Sequence, residues 1–211
     1  MKLDYDIVRR YISDKTGSVS DEYMQGVQRE LEEIAAVQKR SWIFDCTKEE
    51  FYRIDDLELT IESRGVNDLF DECEKMAIFV VTLGLQVDKK IAYYGTGDVL
   101  RSVVLDAMAS VMVESVLDEL QGQVDETIGL NPTMRYSPGY GDLALSFQRK
   151  LLTALGCGKS MGVMLNSSDI MIPQKSITAI VGYSKKKQAY ASVCLKCPNN
   201  GKCKVKCSRA Q

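Results

Sequence analysis

Hydrophobic and polar positions follow two periods along this chain, and the changes of period mark its elements. Ile7, Val8, Tyr11 and Ile12 recur at helical spacing and predict a short amphipathic helix from Tyr5 to Ile12. Ser20 reads as an N-cap, with Asp21 and Glu22 in the first turn. Tyr23, Met24, Val27, Leu31, Ile34 and Ala35 carry that second helix to about Lys39. Trp42 to Phe44 and Leu57 to Ile61 predict strands, the second because Leu57, Leu59 and Ile61 alternate with Glu58, Thr60 and Glu62. Arg64-Gly65 predicts a turn, and Asn67 the cap of a helix carrying Leu69, Phe70 and Cys73.

The run from Met76 to Leu83 is apolar without interruption but for Thr82, the pattern of a strand buried on both faces, and Gly84 ends it. Gln86 to Tyr93 predicts a helix. Thr96-Gly97-Asp98 starts the longest one, with Val99, Val103, Leu105, Met108, Val111, Met112, Ser115, Val116 and Leu120 as its apolar surface. Glu114 stands among those apolar positions and is either a carboxylate on an apolar wall or a solvated one. Asp142 predicts the start of a helix through Leu143, Phe147, Leu151, Leu152 and Leu155, closed by Gly156. Strands are expected from Gly162 to Leu165 and from Ile170 to Tyr183, the latter broken at Pro173. Without a βαβ rhythm, the expected class is α+β: one domain with a twisted antiparallel sheet flanked by helices.

Composition narrows the chemistry. The chain has 211 residues, 45% of them hydrophobic, enough for a core, and a formal charge of −2 gives no whole-chain signal for nucleic acid. The first residues are polar, with no signal peptide or membrane span in the pattern, so a cytoplasmic protein is expected. There is no histidine, which removes Ser-His-Asp triads, histidine zinc proteases and an imidazole base. Seven cysteines without a secretion signal fit thiols or metal ligands in a reducing compartment.

Two constellations carry candidate chemistry. Arg135-Tyr136-Ser137-Pro138-Gly139-Tyr140 joins a guanidinium fork, a Pro-Gly turn and an aromatic face just ahead of the helix expected at Asp142. That position suggests an anion-binding helix N-terminus; the plain alternative is a solvated loop. The second is Cys194-x2-Cys197-x5-Cys203-x3-Cys207 in a tail that is basic from Lys185 onward and has no carboxylate. Four thiolates at that spacing suit zinc or an iron-sulfur cluster; the plain alternative is a reduced, metal-free tail. Cys46, Cys73 and Cys157 read as ordinary core or loop positions.

From Met76 to Tyr190 the chain resembles the S-adenosylmethionine-binding activation domain of cobalamin-dependent methionine synthase. The matching pieces, in order, are the strand Ala77 to Gly84, the long helix bearing Glu114, and Arg-x-x-x-Gly-Tyr at Arg135, Gly139 and Tyr140. The following helix and the segment from Asn166 to Tyr183 complete the set. The resemblance implies an S-adenosylmethionine site at Arg135, Ser137, Gly139 and Tyr140, with Glu114 and Tyr190 as further pocket residues. It divides the chain into 1–75, a region packed on the core, 76–190, the binding core, and 191–211, the tetra-Cys tail.

By the same resemblance, the chain is expected to be a stand-alone reactivation module. It would present S-adenosylmethionine to cobalamin on a separate methionine synthase or related corrinoid protein, with a flavodoxin or ferredoxin as electron donor. The missing histidine is consistent with a corrinoid carried by the partner. The tail has no counterpart in the multidomain enzyme. The competing expectation is a non-enzymatic module that binds a metal through the four tail cysteines and docks an acidic partner or RNA; a small-molecule methyltransferase lacks the expected Gly-rich loop.

Overall fold

The computed structural model describes residues 3–187, which begin with helices α1 (Tyr5–Tyr11) and α2 (Asp21–Ile34). Strands β1 (Gln38–Asp45), β2 (Thr47–Lys48), β3 (Tyr52–Ile54) and β4 (Leu59–Ile61) follow, then α3 (Arg64–Leu69) and β5 (Lys75–Thr82). The second half contains α4 (Leu85–Gly95), α5 (Val99–Ile128), β6 (Asn131–Pro132), α6 (Phe147–Ala154), α7 (Cys157–Met161), β7 (Met164–Leu165), β8 (Met171–Ile172) and β9 (Ser176–Ser184).

The central sheet has the order β1-β5-β9-β6 and every pairing is antiparallel. The apolar run from Met76 is its inner strand β5, paired from Lys75↔Tyr183 to Thr82↔Ser176 with β9 and from Gln38↔Thr82 to Asp45↔Lys75 with β1. Successive side chains of a strand point to opposite faces. Ala77, Phe79 and Val81 therefore join one core with α1, α2, α4 and α5, whereas Met76 and Ile78 join another with β3, β4, α3 and α6. Val80 meets Leu152, Cys157, Met161 and Val163 beside the second core. The expected α+β class with a helix-flanked antiparallel sheet is the observed one. No helix of the described residues is long and apolar enough to cross a membrane.

Local expectations fail where a distant partner decides the conformation. The second helix stops at Ile34, not at Lys39, because the Ala36 amide donates to the Leu83 carbonyl (2.9 Å) and draws the chain into β1. Glu58, at φ 50°, cuts the alternating run, so that Leu57 closes a 3-10 turn (Asp55–Leu57) and only Leu59–Ile61 is strand. Arg64-Gly65 is the first turn of α3, capped by Ser63, and Asn67 lies inside that helix. Asp142 does not start a helix: turns occupy the chain there, and α6 begins at Phe147.

Candidate functional site

Arg135 and Tyr136 run beside the centre of β9. The Tyr136 amide donates to the Ile180 carbonyl and the Ile180 amide to the Tyr136 carbonyl, both at 2.8 Å. Strand alternation there sends neighbouring side chains to opposite faces. Arg135 reaches α5 on one face, and Tyr136 packs against the β3, β4 and α3 core on the other. The Tyr140 amide then donates to the Ser137 carbonyl (3.0 Å), and Gly139 has φ 88°. This is the Pro-Gly turn expected from sequence, in the form that needs a positive φ at its third residue. A Cβ on Gly139 would also lie 3.3 Å from Leu145.

The guanidinium of Arg135 is gripped by a polar stripe on α5. Its Nε donates to Gln121 Oε1 (2.6 Å), Nη2 to Asp118 (2.6 Å) and Nη1 to Glu114 (3.5 Å). These residues stand at helical spacing on one face of α5. Burial falls along the stripe: Gln121 is 2% exposed, whereas the Asp118 and Glu114 side chains are 53% and 54% exposed. Arg135 and Glu114 are thus brought together, with Glu114 at the solvated end and not on an apolar wall. Tyr11 of α1 also lies close to Glu114; burial and then that carboxylate raise its hydroxyl above the usual range.

A guanidinium has five N–H donors, and the three bonds to α5 leave donors for a ligand carboxylate. Glu114 and Asp118 set two carboxylates against Arg135, so the cluster offers groups of both signs. It therefore complements a ligand that combines a carboxylate with cationic groups. Tyr140 is 66% exposed and meets Tyr136 edge-on, ring centroids 6.3 Å apart.

Sequence reasoning missed Asp118 and Gln121, although polar residues three and four apart on an apolar helix were the available signal. The anion-binding helix terminus expected next to the motif is absent from this turn, since Asp142 turns away. Asp142 accepts from Ser63 Oγ (2.5 Å) and the amides of Arg64 (2.7 Å) and Gly65 (3.2 Å), so its carboxylate serves α3 instead. Ser63 first, then these amides, hold the Asp142 carboxyl below its ordinary range.

Tyr190 and the four cysteines Cys194, Cys197, Cys203 and Cys207 lie outside the described residues. Among the described residues no group of His, Cys, Asp and Glu is arranged to hold a metal ion. Burial pushes the thiols of Cys46 and Cys73 up to about 12 and that of Cys157 up to about 11, so these three are poor nucleophiles at neutral pH. Two surface hollows, one lined by Leu3, Arg9 and Gln25 and one by Leu57, Arg149 and Thr153, contain none of the residues from 135 to 140.

No family model and no curated protein matches the sequence. Among solved structures, the chain is similar to the crystal structure of the MetH reactivation domain bound to AdoHcy. The TM-score is 0.64 at 15% identity, over 86% of this chain and 70% of that one. The two share a fold.

Proposed function

We propose that this chain is an S-adenosylmethionine-binding reactivation module that serves cobalamin on a separate methionine synthase or related corrinoid protein. The observation that carries the reading is the Arg135 cluster: a guanidinium held in place by Gln121 and flanked by Asp118 and Glu114. S-adenosylmethionine has a carboxylate for the Arg135 fork and an ammonium and a sulfonium for the two acidic side chains, which matches the cluster in sign. The Ser137-to-Tyr140 turn brings backbone and an exposed aromatic ring to the nucleoside side. The likeness to a reactivation domain that binds AdoHcy supports the same ligand class.

A corrinoid on the partner supplies the nucleophile when bound, and the sulfonium is already an activated methyl donor. What remains for this chain is to bind and orient. Arg135 fixes the amino-acid end, the turn fixes the nucleoside, and no side-chain acid or base is required. The electron would come from a flavodoxin- or ferredoxin-type donor. The tetra-Cys tail, as zinc or iron-sulfur ligands, belongs to the proposal on its sequence spacing alone.

Titration calorimetry tests the reading. S-adenosylmethionine is expected to bind with one site per chain and more tightly than neutral-tailed 5′-methylthioadenosine, which lacks the amino-acid end. Absence of binding, or equal affinity for both, contradicts it. For the tail, stoichiometric zinc in colourless protein would exclude an electron relay, whereas a visible band in anaerobically purified protein would support one.

A further inference from the structure

We propose that Asp142 is a positioning residue that locks the ligand-binding turn to the first turn of α3, an inference that rests on the S-adenosylmethionine reading. The turn from Arg135 to Tyr140 leaves β9 at Tyr136 and has little sheet of its own. Its far end is closed on itself by the Gly139 amide donating to the Leu143 carbonyl (2.8 Å) and the Leu143 amide to the Tyr140 carbonyl (3.0 Å), with Leu143 buried, and is tied to α3 by side-chain bonds. One oxygen of Asp142 accepts from Ser63 Oγ at 2.5 Å and the Gly65 amide at 3.2 Å, and the other from the Arg64 amide at 2.7 Å. The Tyr136 hydroxyl donates to the first of these oxygens at 3.4 Å. Ser63 Oγ in turn accepts from the Val66 amide at 3.0 Å, so the cap of α3 and the carboxylate form one network.

Two glycines make room for this lock. A Cβ on Gly65 would overlap the Tyr136 hydroxyl and sit 3.1 Å from Asp142 Oδ1; a Cβ on Gly141 would overlap the same hydroxyl. The Tyr136 ring tip is therefore enclosed between the α3 start and the turn. Ser137, Gly139 and Tyr140 lie between the Tyr136 anchor and the Asp142 anchor, within a loop closed at both ends. Asp142 itself touches no ligand group in this account; it acts through the position of the turn. Arg135 is held independently by α5.

The test is calorimetric titration of S-adenosylmethionine into the full chain and into Asp142→Ala, Asp142→Asn and Gly65→Ala. Calorimetry separates the binding-competent fraction from the dissociation constant, and a merely structural role changes only the first. The expected result for Asp142→Ala is a Kd raised by about tenfold or more, the equivalent of one charge-assisted hydrogen bond, with stoichiometry still near one per chain. Asp142→Asn, which keeps one acceptor oxygen, is expected to fall between Ala and wild type. Gly65→Ala keeps the carboxylate but displaces Tyr136, and is expected to raise Kd as well. Kd values within twofold of wild type in both Asp142→Ala and Gly65→Ala overturn the inference alone, as does a fall in stoichiometry at unchanged Kd. If the wild-type chain itself does not bind, the functional reading fails together with it.

Discussion

On one side of β9, α5 buries thirteen of its thirty residues between the sheet and helices α1, α2 and α4 and holds Arg135 through a polar stripe at its edge. On the other side, α3 has six residues, and the turn leading to α6 is tied to it through one carboxylate. The first region is fixed by area removed from water, which is large and non-directional; the second has a core of its own, with Leu143 and Phe147 buried beside Val66, and adds to it a few directional bonds between segments far apart in sequence. A binding site placed across the two has one half set by packing and one whose position also depends on single polar atoms. Core substitutions in the first should change stability and spare affinity, whereas loss of the polar bonds in the second should change affinity more than stability.

The largest expected effect is on the half set by packing. Phe79 of β5 is fully buried in the core shared with α5, and Phe79→Ala should cost about 3–5 kcal/mol in urea unfolding. Gly182 comes next, on the α3 side of the sheet: a Cβ there would overlap Cys73 Sγ and stand 2.9 Å from the Phe70 ring. Gly182→Ala should therefore cost about 1–3 kcal/mol by overpacking. In Phe79→Ala the folded fraction should keep wild-type affinity for S-adenosylmethionine; a raised Kd would break the division between scaffold and turn.

Much of the scaffold was legible because its causes are local. The apolar run at Met76 and the helical period after Asp98 specify β5 and α5 without reference to anything distant, and Asp98 caps α5 by accepting from the Arg101 amide. The turn was legible only in part. Pro138-Gly139 announced itself, since a positive φ at Gly139 is a local demand. Asp142 was recognisable as a carboxylate suited to helix-start amides, but it serves a helix 78 residues earlier, as its bond to Arg64 shows. The same contact explains why Arg64-Gly65 is a helix start: its amide partner is not in the neighbouring sequence. Asp118 and Gln121 escaped because a stripe on a mostly buried helix acquires meaning only once Arg135 is laid across it.

Smaller effects sharpen the contrast. Ser63→Ala removes the α3 cap and one Asp142 partner and should cost about 1 kcal/mol, read as lower amide protection at Val66. The Asp142 carboxyl is held below its unfolded value, so its contribution is present above the ordinary carboxylate range and is lost as pH falls through the lowered folded value. Hydrogen-exchange protection at Arg64 and Gly65 should therefore be steady near neutrality and decline below about pH 4. The smallest effect belongs to the Lys39–Glu119 pair, 2.7 Å apart with side chains 33% and 55% exposed. Lys39→Ala should change stability by less than about 1 kcal/mol.

The central claim is that Arg135, held by α5, clamps the carboxylate of S-adenosylmethionine. Calorimetric titration of that ligand into wild type and Arg135→Ala, both checked for folding by circular dichroism, tests it most directly. Loss of one charge-assisted carboxylate clamp should weaken binding by about 1.5–3 kcal/mol, roughly a 10- to 150-fold rise in Kd. Unchanged affinity in the folded Arg135→Ala protein would contradict the claim.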